Sequence, residues 1–112
     1  MTLRLERNGA IARLLIDRPA KRNAFSQAMW EAVPALVAEA VADPAVRVIL
    51  LASATPAMFC AGADIGEFAE KAADPAWRTV NNAAIRATQL ALSRADKPVL
   101  GVIDGDCVGG GT

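Results

Sequence analysis

Apolar and charged residues alternate at the start of the chain, with Leu3 and Leu5 set between Arg4 and Glu6. A period of two predicts a half-buried strand. Asn8-Gly9 supplies a two-residue turn, and Ile11 to Asp17 returns as a second strand, so residues 3–17 read as a hairpin. Pro19, in the polar stretch RPAKRN, forbids continuation as a central strand. From Ser26, a good helix N-cap, the period becomes helical. Met29, Val33, Leu36, Val37, Ala40 and Val41 then share one face. Pro34 sits inside that pattern and predicts a kink or a split, and Asp43-Pro44 ends it.

The run VRVILLAS, residues 46–53, is mostly apolar and rich in β-branched side chains, which predicts a strand buried on both faces. ATPAMFCAGAD reads as a loop leading to a short helix over residues 65–71. Asp74-Pro75 combines an N-cap with proline at the first helical position, and the helix it opens runs to about Ser93. Its predicted buried stripe is Trp77, Val80, Ala84, Ala87 and Ala91. KPVLGVID predicts a fourth strand, followed by DGDCVGGGT. Strands at 46–53 and 98–104 joined through helices make a βαβ pattern with parallel pairing. The fold class is α/β.

Composition narrows the chemistry. At 112 residues and 54% hydrophobic, the chain supports at most one domain with a packed core. Twelve basic and twelve acidic residues balance, which argues against a dedicated nucleic-acid binder. No histidine is present, so the commonest general base and metal ligand is missing. Cys60 and Cys107 are far apart and lack CxxC spacing, which predicts neither a metal site nor a disulfide framework. The first residues lack the apolar core of a signal peptide, and the longest clean apolar run, Val48 to Ala52, is too short to span a bilayer. A soluble, cytoplasmic protein, not associated with membranes, is the expectation.

Three consecutive glycines, Gly109 to Gly111, call for a reason, because glycine loses the most backbone freedom on ordering. A phosphate loop is one candidate: Gly105 to Thr112 nearly fits GxxxxGK[ST], but Gly111 stands where the lysine must reach the phosphates. The dinucleotide fingerprint fails as well, since Gly105 and Gly109 are wrongly spaced. An oxyanion hole is the other candidate. It needs two backbone N–H donors converging from different segments on one carbonyl oxygen. FCAGADI, residues 59–65, is a second glycine-centred turn after a strand, and both turns can open at one end of a shared sheet.

LIDRPAKRNAFS, VRVILLASATPAMFCAGADI and KPVLGVIDGDCVGGGT, in that order, resemble the N-terminal signatures of the crotonase superfamily, the enoyl-CoA hydratase/isomerase proteins. The resemblance covers essentially all 112 residues, and the pairing of FCAGADI with a later VGGG is its specific part. It implies a crotonase-like ββα spiral, of which residues 1–112 would be the N-terminal part of a single domain, in an enzyme acting on acyl-CoA thioesters as trimers or hexamers. It implies no separate cofactor, coenzyme A being part of the substrate. Matched motif to motif, the oxyanion donors are the backbone N–H groups of Ala63 and Gly110. One such donor supplies ~3 kcal/mol of transition-state stabilisation. Lys21, Arg22 and Ala24 fall in the family's CoA-contacting segment, and backbone near Ala24, Ala61, Asp64 and Ile65 would flank the adenine and pantetheine.

The resemblance also implies a catalytic glutamate directly after the position of Thr112 and a second acidic residue further on, together hydrating a 2-enoyl thioester. Neither lies within these residues, and isomerisation, hydrolysis or dehalogenation would use the same oxyanion hole with other acids. A truncated paralogue that binds acyl-CoA without turnover is the alternative from another class. Asp64, Glu67, Asp104 and Asp106 are nearby carboxylates with ordinary structural readings: a helix cap, an i,i+4 partner for Lys71, and a turn around Gly105. Without a histidine to activate them, Cys60 and Cys107 read as buried, inert thiols. Trp30 and Trp77 read as core or interface residues.

Overall fold

The structure is a computed structural model that describes residues 2–112. Strands β1 (Leu3–Asn8) and β2 (Ile11–Ile16) form the antiparallel hairpin, closed by the Asn8–Ile11 pair. The two loop residues are therefore Gly9 and Ala10, one position later than predicted, because Asn8 still pairs within the ladder. β2 pairs in parallel with β3 (Val48–Ser53), which pairs in parallel with β5 (Val99–Gly101), giving the order β1-β2-β3-β5. The predicted βαβ arrangement is present.

Helix α1 (Gln27–Ala42) connects β2 to β3. Ser26 caps it by accepting from the Met29 N–H, and Met29, Val33, Val37 and Ala40 are buried as their spacing requires. Pro34 neither splits nor ends the helix, which is one continuous segment across it. The reason lies in the partner helix α3 (Pro75–Ser93). An α-helical carbonyl accepts from the N–H four residues on, so Pro34 leaves the Trp30 carbonyl without its usual donor. The Thr88 hydroxyl donates to that oxygen at 2.7 Å.

Helix α3 begins as predicted, with Asp74 as cap and Pro75 in first position, but its buried face differs from the expected stripe. Asn81, Ala84 and Thr88 are buried, whereas Val80 and Ala87 are exposed and Trp77 is half-buried. A polar pair therefore occupies the helix interface, where Thr88 has its carbonyl partner. β3 is buried only at Ile49 and half-buried elsewhere, so it falls short of the burial on both faces expected from its composition. The core lies between the sheet and α1, with Leu14, Ile16, Val33, Val46 and Ile49 fully enclosed.

Two segments near the glycine turns form structure not foreseen. Met58–Cys60, inside the expected loop, is a strand, β4. The expected fourth strand stops at Gly101, and Asp106–Cys107 form β6, which pairs in parallel with β4. Gly105 permits this crossing: its φ is +140°, and a β-carbon there would lie 2.3 Å from the Ala57 carbonyl carbon. Helix α2 (Ile65–Lys71) occupies its predicted residues. Gly109–Gly111 wind into one 3₁₀ turn. None of the helices among the described residues is long and apolar enough to cross a membrane.

Candidate active site

Three loops meet at one end of the β4/β6 pair. The first, residues 17–25, is organised by Asn23, which is 0% exposed and sits in the left-handed region at φ +59°. Its side-chain oxygen accepts from the Arg18 N–H at 2.8 Å, and its amide nitrogen donates to Ser53 Oγ at 2.8 Å and to the Phe59 carbonyl at 2.9 Å. Every polar atom of this buried amide side chain thus has a partner, which ties the loop to β3 and β4 together.

The second loop, residues 60–64, is laced onto the first. The Ala61 N–H donates to the Arg22 carbonyl, the Phe25 N–H to the Gly62 carbonyl, and the Asp64 N–H back to the Phe25 carbonyl. The Gly62 N–H donates to the Cys60 sulfur at 3.4 Å. From Ala61 to Asp64, only the Ala63 N–H donates to no group among the described residues.

The third loop holds the glycine run. The N–H of Val108 donates to the Cys60 carbonyl, that of Gly111 to the Val108 carbonyl, and that of Thr112 to the Gly109 carbonyl. Gly109 and Gly110 keep uncommitted N–H groups among the described residues. The second and third loops are in close contact: a β-carbon at Gly62 would lie 2.9 Å from the Val108 oxygen and 3.3 Å from the Gly110 nitrogen. One at Gly110 would lie 3.8 Å from the Ala63 nitrogen and 3.2 Å from Cζ2 of Trp30. The geometry therefore brings the Ala63 and Gly110 amides to one spot, backed by the Trp30 ring.

Trp30 packs against Phe25 with ring centroids 4.6 Å apart. Both line an apolar cavity of about 210 Å³ that also reaches Phe59, Ile85, Thr88, Gly110 and Thr112. Cys60 is buried beside it, and burial, as the leading cause, raises its thiol pKa. Cys107 is only half-buried, so the expectation of two buried thiols holds for Cys60 alone.

Asp64 closes the second loop. One carboxylate oxygen accepts from the Glu67 N–H at 3.1 Å as the cap of α2, and the other meets Arg18 at 3.0 Å. The Glu67 N–H first and the Arg18 guanidinium second hold its pKa below the ordinary carboxylate value, against the opposing effect of burial. Glu67 does not pair with Lys71: its carboxylate accepts from the Gln27 N–H at 2.8 Å, at the positive end of α1.

Among the residues matched to CoA contact, Arg22 is exposed at φ +53° and lies 3.5 Å from Asp106. Arg22 and Ala61 share a shallow groove of about 250 Å³ with Ala57, Met58, Asp106 and Val108. Ile65 is 81% exposed. Ala24 is buried, its N–H bonded to the Lys21 carbonyl and its own carbonyl to Arg18, so it contributes to the loop's shape. Sequence reasoning passed over Asn23, Arg18 and Thr88. Their roles depend on contacts to residues distant in the chain, and only the buried left-handed asparagine left a local trace, as Asn following a turn.

A model of the enoyl-CoA hydratase/isomerase family matches residues 6–112, and the chain belongs to that family. It is similar to a crystal structure of an enoyl-CoA hydratase/isomerase family protein from Hyphomonas neptunium, with TM-score 0.94 and 39% identity over 99% of this chain and 42% of that one. It is 35% identical to a mevalonyl-coenzyme A hydratase of Beauveria bassiana, over 86% of this chain and 36% of the relative. It is 32% identical to the human mitochondrial methylglutaconyl-CoA hydratase, over 95% of this chain and 31% of the relative. The chain thus spans 31% to 42% of the length of these proteins.

Proposed function

We propose that these residues form the N-terminal part of one crotonase-like domain and supply the oxyanion hole of an acyl-CoA enzyme, whose reaction is hydration of a 2-enoyl-CoA. The observation that carries this reading is that two uncommitted N–H groups from different loops, those of Ala63 and Gly110, lie close together. Two such donors polarise a thioester carbonyl. As water adds to Cβ, electron density moves onto the thioester oxygen, and fixed amide dipoles stabilise the enolate without reorganising. Related chains named as hydratases support this choice among crotonase reactions.

The nearby carboxylates are engaged in structure: Asp64 with Arg18 and Glu67, Glu67 with Gln27, and Asp106 with Arg22. Asp104 borders a separate depression with Ser53, Thr55 and Val102. The acid and base that handle water and the α proton therefore come from other residues of the enzyme. Arg22 and Lys21 are the cations of the CoA subsite, meeting phosphate oxygens, with Ala61, Asp64 and Ile65 beside the adenine and pantetheine. Assembly as a trimer or hexamer is part of the proposal. A cytoplasmic setting is supported by the two free thiols.

The test is steady-state kinetics of the full-length protein on a panel of 2-enoyl-CoA thioesters. Ala63→Pro, which removes one donor, should lower kcat by about 100-fold or more while thioester binding changes little. Binding without turnover on every thioester would favour the non-catalytic acyl-CoA binder instead.

A further inference from the structure

Pro34, Thr88 and Trp30 form a relay that ends at the proposed oxyanion hole. Pro34 withholds an amide from the Trp30 carbonyl, and Thr88, 3% exposed, supplies a hydroxyl in its place at 2.7 Å. The Trp30 ring, itself buried and packed at a tilt against Phe25, is the surface against which Gly110 lies. A donor of this kind acts only if it is held in place, and a shift of an ångström in a positioning group lowers rates steeply. We infer that Thr88 is a positioning residue for the Gly110 N–H, acting through Trp30 and needed because residue 34 is proline. This inference rests on the oxyanion reading of Gly110 and extends it to helix α3, which contributes no group to the carbonyl itself.

The geometry defines a compensation experiment in the full-length protein. Thr88→Val keeps the shape but leaves the Trp30 carbonyl without a donor, and Thr88→Ser keeps the hydroxyl. Pro34→Ala returns the helical N–H to that carbonyl. Thr88→Val should lower kcat about tenfold with KM changed by less than about twofold. Thr88→Ser should stay near the parent rate, and Thr88→Val with Pro34→Ala should return to within about threefold of Pro34→Ala alone. A merely structural threonine would lower stability in Thr88→Val and leave the kcat of the folded variant unchanged.

An unchanged kcat in Thr88→Val, or a loss that Pro34→Ala fails to reverse in a folded double variant, overturns the inference. Should the parent protein turn over no thioester, the proposed function fails, and the relay is then read by fluorescence in a Trp77→Phe background. In that background, with any tryptophan outside residues 1–112 likewise changed to phenylalanine, Trp30 is the remaining tryptophan. Its emission should shift in Thr88→Val and return on adding Pro34→Ala, and an emission that stays put overturns the relay.

Discussion

The guanidinium of Arg18 meets the carboxylate of Asp64 at 3.0 Å, with side chains only 21% and 13% exposed. The same Arg18 donates to the Ala24 carbonyl at 2.9 Å, and the same Asp64 caps α2. One ion pair therefore fixes the first loop to the residue that follows Ala63. Replacing Arg18 with Met leaves a mostly buried carboxylate short of its partner and should cost about 2 kcal/mol, read from urea midpoints at neutral pH.

The pH dependence of that cost has a definite sign. The folded-state pKa of Asp64 lies below its ordinary value of 3.8. Its contribution is therefore fully present above that value and is lost as pH falls through it toward the folded pKa. The stability gap between the parent and Arg18→Met should be constant near neutrality and narrow in acid below about pH 4. A gap that widens in acid would contradict the assignment.

Asn23→Ala should be the more damaging change. It removes the donors to Ser53 and Phe59 and the acceptor for Arg18 N–H, and it puts alanine at φ +59°. Lost buried hydrogen bonds and left-handed strain together amount to about 3–4 kcal/mol. Urea titration of Asn23→Ala beside Asn23→Gly separates the two contributions, since glycine relieves the strain alone.

Gly62→Ala tests how tightly the two amide loops must approach. At φ +97°, with the Val108 oxygen 2.9 Å and the Gly110 nitrogen 3.3 Å from the added carbon, the loops have to part. The account expects kcat to fall by about 100-fold with thioester affinity less affected. Equal losses in both would point to general disruption of the fold.

The two thiols should separate under alkylation. Cys60 is buried with a raised pKa and donates to the Asn23 carbonyl at 3.3 Å, whereas Cys107 is half-buried. Timed iodoacetamide labelling read by peptide mass should modify Cys107 first, because burial both shields Cys60 and raises its thiol pKa.

Much of this architecture was legible in local patterns. The hairpin and the capped helices at Ser26, Asp64 and Asp74 follow from residues near one another in the chain, and the parallel pairing of β3 with β5 from the helices that join them. The glycines of FCAGADI and VGGG likewise announced close backbone approach, and Gly62 and Gly111 show it. What stayed hidden depends on distant partners. Pro34 reads as a helix breaker until Thr88, 54 residues later, meets the Trp30 carbonyl. Glu67 reads as the partner of Lys71 until Gln27 is brought alongside. The α3 stripe was misread for the same reason: Asn81 and Thr88 are polar by type but face the interior.

The central claim is that Ala63 and Gly110 donate together to a thioester carbonyl, and infrared difference spectroscopy of a bound acyl-CoA, with its thioester carbon labelled by ¹³C, tests it most directly. The account predicts a carbonyl band at lower frequency on the full-length protein than in water, moving back toward the solution value in Ala63→Pro. A band at the solution frequency in the parent protein, with the thioester bound, would contradict it.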